Sequence, residues 1–545
     1  MIEKNAALTG GQVIVELLRR NGITRVFGVP GESYLPVLDA LCDAADVEFV
    51  SCRHEGGATM MAEAHAKITG GPGIALVTRG PGSANAFSGL HVAYQDSTPL
   101  VVLVGQVPRD AVGREAWQEV HPQAWFGGIT KWSAQVEDAK RLPELLNRAF
   151  MTAMSGRPGP VVLCLPEDLL YETLLCPPLK PALAVRPHPN IGDVERMVTL
   201  LHKSERPIII VGGPNWTEQA RRQVENFALA HAIPVAAAFR RQDRFDNAHP
   251  NYVGEAGLGM DPALAERIQN ADLLIALGTR LGDIATRHYT LVEVPRPFQR
   301  LVHVHAGADE IGKVYQPDLG ICSAVVPFAE ALASLEQHPE TSPCREDWLA
   351  TAKDDYLRWT VPTRLPGKLQ LGDIVTWLSE TLPDDAIVTN GAGNYTLWVQ
   401  RFFRYRRLHS QLAPTSGSMG YGLPAAIAAK LACPARPVIC FAGDGCLLMT
   451  VQELATAIKY GVRIVVILIN NASYGSIRMH QERTYDRRFG TDLHNPDFVE
   501  LARSFGAEAR CVNTAEDFKE FFPIALNSDK LTLIELKLDP SILKP

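Results

Sequence analysis

No two of the ten cysteines stand in a C-x-x-C spacing, which removes zinc ribbons and disulfide frameworks from consideration. Scattered thiols of this kind are expected to be reduced and buried in a cytoplasmic enzyme. No stretch reaches the ~18 consecutive apolar residues of a membrane-spanning helix. Residues 1–5 lack the basic flank and apolar core of a secretory leader. There is no basic surplus either: 53 Lys and Arg face 60 Asp and Glu, a net charge of −7. Neither a membrane nor a nucleic acid is therefore expected as a partner. Low-complexity segments, short repeats and a P-loop lysine motif are also missing. With 46% hydrophobic and 21% charged residues the chain is not disordered. At roughly 150 residues per domain, 545 residues make three or four domains, not one small binding module.

Short β-branched runs alternate with longer Ala- and Leu-rich segments of helical periodicity. Strands are expected at 25–29, 47–52, 74–78, 100–104, 161–165, 208–211, 273–277, 301–304, 387–389, 438–441, 464–469 and 531–536. These runs are apolar on both faces, as parallel strands covered by helices must be. The fold class is α/β, in three doubly wound parallel-sheet domains. Two stretches break the alternation. Cys176-Pro177-Pro178 through Pro189 reads as a linker. The other runs from His338-Pro339 to Pro366-Gly367, with a helix inside it around 348–359. Cutting there gives units at 1–175, 190–335 and 368–540.

The strongest chemical signal lies in the third unit. The run 438–441 leads into Gly443-Asp444-Gly445, and Thr450-Val451-Gln452-Glu453 then fits a capping box opening a helix that Gly461 stops. The run 464–469 ends in Asn470-Asn471. One βαβ crossover thus puts an Asp and an Asn at the carboxyl ends of two strands, the edge where α/β sheets bind ligands. Flanking glycines let a diphosphate approach the backbone. A carboxylate, an amide oxygen and a loop carbonyl are the hard oxygen ligands that Mg²⁺ takes. Gly-Asp-Gly and Asn-Asn are each also what a turn needs; their placement on successive strand ends favours the ligand site.

GDG followed at this interval by NN resembles the thiamine-diphosphate (ThDP) enzyme signature. The resemblance runs over nearly the whole chain and is closest to the acetolactate (acetohydroxyacid) synthase large subunits. It is supported by Phe27-Gly28-Val29-Pro30-Gly31, His54-Glu55-Gly56-Gly57-Ala58, Gly80-Pro81-Gly82, the segment 96–106, Thr130-Lys131-Trp132 and Gly417-Ser418-Met419-Gly420. The resemblance implies an amino-terminal pyrimidine-binding domain, a central domain and a carboxyl-terminal diphosphate-binding domain, with ThDP and Mg²⁺ as cofactors. Asp444, Asn471 and the carbonyl of Ser473 match the metal ligands. Gly391, Asn394, Tyr395 and Thr396 match the diphosphate-contacting loop, with Gly443 and Gly445 beside it. Glu55 matches the glutamate that hydrogen-bonds N1′ of the aminopyrimidine. Met419 matches the apolar wedge that holds the cofactor bent, and Gly417 the carbonyl that accepts from its 4′-amino group. Gln106 and Lys131 match positions facing the reacting carbons.

Three features depart from better-known relatives. No His-His pair occurs, which argues against the simple pyruvate decarboxylase pattern. No tryptophan follows the segment 472–482, where biosynthetic synthases select a larger second substrate. Arg280-Leu281-Gly282-Asp283 stands where flavin-binding members carry Arg-Phe-Asp-Asp, which makes FAD doubtful. Gly420-Tyr421-Gly422-Leu423-Pro424-Ala425 fits a dinucleotide fingerprint only formally, since no apolar strand leads into it. The expected reaction is decarboxylation of a 2-oxo acid, pyruvate foremost, with carboligation to a second carbonyl. Alternatives are a non-ligating 2-oxo acid decarboxylase, a 2-hydroxyacyl-CoA lyase, or a non-catalytic homologue, against which the presence of Glu55 argues. The resemblance also implies a homodimer or homotetramer with active sites at the subunit interface.

Overall fold

A computed structural model describes residues 6–335 and 341–545. The start of the chain, read above as free of a leader, and His338-Pro339, where the second break in the alternation begins, lie outside the described residues. Three six-stranded sheets, each parallel throughout, form the framework. The first runs edge to edge as Glu48–Ser51, Arg25–Gly28, Gly73–Val77, Leu100–Gln106, Pro160–Pro166 and Trp132–Gln135. The second runs Tyr252–Ala256, Val235–Ala238, Pro207–Val211, Leu273–Leu277, Arg300–His305 and Leu319–Cys322. The third runs Gln411–Leu412, Ile387–Asn390, Val438–Gly443, Val465–Asn470, Thr532–Lys537 and Glu508–Val512. Ala6–Thr9 and Thr173–Cys176 add a two-stranded antiparallel ribbon.

The expected α/β class with parallel sheets is what forms. The inner strands are buried apart from an end residue in some, and Leu100–Gln106 and Pro160–Pro166 are buried along their whole length, because helices cover both faces. Helix Gly10–Arg20, for instance, lays Val13, Ile14, Leu17 and Leu18 into the same apolar cluster as Val161 and Leu163. The expected helix around 348–359 is longer, Pro343–Trp359, capped by the Ser342 hydroxyl. All ten cysteines are free, but Cys42, Cys322 and Cys344 are exposed, against the expectation of buried thiols.

The residues divide into two compact units. One holds the chain up to Val185 together with Ser416–Pro434 and Leu448–Val462; the other holds Arg186–Thr415, Ala435–Leu447 and Arg463–Pro545. Helices Gly422–Ala432 and Glu453–Lys459 therefore belong with the first sheet, although the strands on either side of them lie in the third. Among the described residues no helix is long and apolar enough to cross a membrane.

Candidate cofactor site

In the third sheet the chain goes from Ile387–Asn390 out to Gln411–Leu412 and returns to Val438–Gly443 on the other side. The carboxyl ends of Ile387–Asn390 and Val438–Gly443 thus flank a topological switch point, where open α/β sheets hold ligands. The loop Gly391–Thr396 leaves one of these strands and Asp444 the other. The Tyr395 phenol fixes this edge, accepting from the Gly391 N–H at 3.1 Å and donating to Cys446 Sγ at 3.4 Å. Its ring lies against Gly443, where a Cβ would come within 3.1 Å. Asn394 donates to the Leu543 carbonyl at 2.6 Å and accepts from the Ser476 hydroxyl at 2.7 Å. Thr396 donates to the Gly393 carbonyl at 2.9 Å, tightening the turn.

Asp444 is 3% exposed. Its Oδ1 accepts from the Gly445 N–H at 2.9 Å and its Oδ2 from Asn495 Nδ2 at 2.8 Å. Burial raises its proton affinity, and these two donors work against that shift. The same Asn495 Nδ2 reaches Asn470 Oδ1 at 3.0 Å. Asn471 Oδ1 accepts from the Ser473 N–H at 3.2 Å. The turn after Asn471 is zipped to the segment 491–493: Tyr474 N–H donates to the Thr491 carbonyl and Leu493 N–H to the Ala472 carbonyl. A Cβ on Gly445 would stand 2.7 Å from the Tyr474 ring, so the backbone approach needs glycine. Ser473 Oγ, Thr491 Oγ1, Asn495 Oδ1 and Asn390 Oδ1 are buried without a hydrogen-bond partner.

Asn495 was invisible in the sequence, since it follows an irregular stretch and only the turn-forming Asn-Pro dipeptide marks it. Among the described residues no three His, Cys, Asp or Glu side chains converge to hold a metal ion. A metal here would have one carboxylate and neutral oxygens as ligands.

In the first unit Glu55 follows the strand Glu48–Ser51 and opens helix Glu55–Thr69, whose N-cap is His54. It is 8% exposed, and its Oε2 accepts from Asn85 Nδ2 at 2.9 Å. A Cβ on Gly82 would lie 3.1 Å from Glu55 Oε1 and 2.9 Å from the Thr78 methyl, so the Gly80-Pro81-Gly82 helix start packs directly against the carboxylate. Gln106 ends its strand on the same carboxyl edge of the sheet. It is fully buried, and its amide is engaged on both sides. Nε2 donates to the Val120 carbonyl and to Gln135 Oε1, while Oε1 accepts from the Val107 and Val120 N–H groups.

Lys131 is not brought to that edge. It precedes the strand Trp132–Gln135 at the amino edge, and its ammonium donates to the Thr152 and Ser155 carbonyls at 2.5 and 2.6 Å. It thereby caps the carboxyl end of helix Leu142–Met154. Gly417 has a φ of +68° and Met419 is half-buried. The turn they form is anchored where Thr450 Oγ1 donates to the Gly420 carbonyl at 2.7 Å. The expected capping box does not form. Thr450 serves Gly420, Gln452 is the N-cap without a side-chain bond, and the Glu453 carboxylate turns away to the Arg53 and His54 amides.

Comparison with known proteins agrees with these features. The amino-terminal, central and carboxyl-terminal domains of the thiamine pyrophosphate enzymes match residues 8–125, 194–332 and 391–536. The acetolactate synthase large subunit of Parasynechococcus marenigrum (strain WH8102) is 32% identical, over 97% of this chain and 87% of its own length. The acetolactate synthase of Mycobacterium bovis is 34% identical over 94% and 84%. The acetolactate synthase isozyme 2 large subunit of Escherichia coli (strain K12) is 31% identical over 98% and 96%. The chain belongs to the thiamine-pyrophosphate-dependent enzymes, in the group that contains the acetolactate synthase large subunits.

Proposed function

We propose that the protein is a ThDP- and Mg²⁺-dependent carboligase that decarboxylates pyruvate and joins the remaining two-carbon unit to a second 2-oxo acid. The product is a 2-hydroxy-2-methyl-3-oxo acid such as 2-acetolactate. The observation that carries this reading is Asp444, a buried carboxylate at a switch point, among polar atoms that lack partners. Ser473 Oγ, Asn495 Oδ1 and Thr491 Oγ1 would gain partners from a hydrated cation and its diphosphate, which is why the residues fit the group. Asp444, Asn471 and the Ser473 carbonyl would hold Mg²⁺; Gly443 and Gly445 let the Tyr395 and Tyr474 rings close onto the backbone on either side of Asp444.

When bound, ThDP supplies an electron sink for the pair released as carbon dioxide departs. Glu55 supplies a carboxylate for N1′ of the aminopyrimidine: Asn85 holds its Oε2, and Oε1 packs against Gly82, which together orient the group. A group poised to hold and return a proton there is a general acid–base catalyst. Gln106 acts by holding the Val107–Val120 segment in place, because its amide is already spent on that segment. Gly417 and Met419 form the turn that would support the bend of the cofactor. The relatives' names and the three matched domains support the reading as an acetolactate synthase-like ThDP enzyme; the setting proposed for it is a cytoplasmic homo-oligomer.

Incubating the purified protein with pyruvate, ThDP and Mg²⁺ and assaying acetoin after acidification tests it. Acetolactate decarboxylates to acetoin, so a strong acetoin signal is expected. Aldehyde as the main product, or untouched pyruvate, would reject carboligation.

A further inference from the structure

Glu453 is a carboxylate with no solvent exposure, and none of the chemistry above uses it. It stands at the first turn of helix Glu453–Lys459. Its Oε1 accepts from the His54 N–H at 3.0 Å, both of its oxygens lie 3.3 Å from the Arg53 N–H, and Oε2 accepts from Thr456 Oγ1 at 2.6 Å. The two backbone amides it holds are those immediately before Glu55. On the far side of Glu55, Gly57 packs so closely that a Cβ there would lie 2.5 Å from Glu453 Oε1. The same helix ends in Tyr460, whose hydroxyl accepts from the Ser51 N–H at 2.8 Å and donates to the Phe49 carbonyl at 3.1 Å. One short helix therefore grips the Phe49–His54 segment at both ends.

Burying an ionised carboxylate is costly, and burial pushes Glu453 up, with Thr456, the two amides and the Arg53 charge opposing the shift. A neutral apolar residue would fill the same space at lower cost. What the carboxylate adds is an acceptor for two adjacent N–H groups that no single amide oxygen could serve equally. His54 is thereby fixed through its backbone while its ring, accepting from the Gly56 N–H at 3.0 Å, caps the helix that begins at Glu55.

We propose that Glu453 is a positioning residue for Glu55: by clamping the Arg53 and His54 amides it sets where the Glu55 carboxylate points. The proposal rests on the reading of Glu55 as the group that meets N1′ of ThDP. The test is deuterium exchange at C2 of bound ThDP in wild type, Glu55→Gln, Glu453→Gln and the double variant. Backbone amide exchange at Arg53 and His54 is followed in protein without cofactor. Glu55→Gln should slow C2 exchange, and Glu453→Gln should slow it about 10–10²-fold, as a misplaced catalytic group does. The double variant should be no slower than Glu55→Gln alone, because both changes act through one carboxylate. The two amides should exchange faster in Glu453→Gln even without cofactor. If Glu453→Gln does not fold, Glu453→Asp, which keeps the charge but withdraws it, should give the same pattern. Unchanged C2 exchange in the folded Glu453 variant, or a full additional loss in the double variant, overturns the positioning role and leaves Glu55 standing. Unchanged exchange in Glu55→Gln would overturn the reading of Glu55 and the proposal with it.

Discussion

Asn495 Nδ2 donates to Asp444 Oδ2 at 2.8 Å, and the same nitrogen reaches Asn470 Oδ1 at 3.0 Å. One amide thus ties the proposed metal carboxylate to the end of the neighbouring strand. It orients Asp444 from outside the ligand set, as carboxylate partners do in metal sites. Asn495→Ala should weaken Mg²⁺ binding about 10–10²-fold, the usual cost of losing such a partner. Asp444→Ala should abolish turnover and Mg²⁺-dependent ThDP binding with the circular dichroism unchanged. Titrating Mg²⁺ against cofactor fluorescence quenching separates these grades. An Asn495→Ala variant with wild-type Mg²⁺ affinity would show that Asp444 needs no support from it.

Lys131 makes a sharper comparison, because the resemblance places it by the reacting carbons and the structure gives its ammonium to Thr152 and Ser155. Lys131→Met keeps the stem beside Gly159 and removes the charge from the helix end. Stability should fall by about 0.3–1 kcal/mol, the scale of a cation at a helix carboxyl terminus. Turnover should be retained. A large drop in kcat with an unchanged Tm would return Lys131 to the chemistry.

Much of this was legible in the sequence, for an identifiable reason. The strands read from their apolar runs are buried along those runs, Val438–Gly443 throughout and Val465–Asn470 up to Ile469. Glu508–Val512, an edge strand with alternating exposure, carries no such run, and Gln411–Leu412 is only two residues long. The Gly-Asp-Gly and Asn-Asn motifs were visible because adjacent strands bring them together through local chain alone. The T-x-x-E spacing at Thr450–Glu453 misleads because it cannot tell a helix cap from an acceptor for amides in a turn far away in the chain, here Arg53 and His54. Asn495 owes its place to the backbone pairing of 491–493 with 472–474, which no local pattern announces.

Glu255, in the strand Tyr252–Ala256, has a pH signature of its own. Burial pushes it up to about 8, against the Arg240 N–H that donates to it at 2.6 Å and the Arg240 charge. Between its ordinary value of 4.5 and about 8 the unfolded chain releases this proton and the native state keeps it. Stability from this group therefore falls as pH rises across that window and is level above it. Glu255→Gln retains an oxygen for the Arg240 N–H and has nothing to titrate. The difference in Tm, variant minus wild type, should grow from about pH 5 to about pH 8 and then stay constant. His65 and His231, both pushed down to about 4 by burial, slope the other way but equally in both proteins. A difference independent of pH would show that Glu255 is ionised in the native state throughout.

Assembly can be tested with two inactive proteins. Glu55→Gln and Asp444→Ala subunits, unfolded and remixed in equal amounts, should regain about a quarter of wild-type activity if each site draws Glu55 from one chain and Asp444 from its partner in a two-fold dimer. Half the dimers are then mixed, and each mixed dimer has one intact site. No recovery, with subunit exchange confirmed by mass-tagged chains, would mean that each chain completes its own site.

The most direct measurement is the carbon balance of a single incubation with labelled pyruvate, ThDP and Mg²⁺, followed by nuclear magnetic resonance and trapped carbon dioxide. Carboligation predicts one carbon dioxide for every two pyruvates consumed and a new carbon–carbon bond between labelled carbonyl carbons. One carbon dioxide for every pyruvate, with free aldehyde and no new bond, would contradict it.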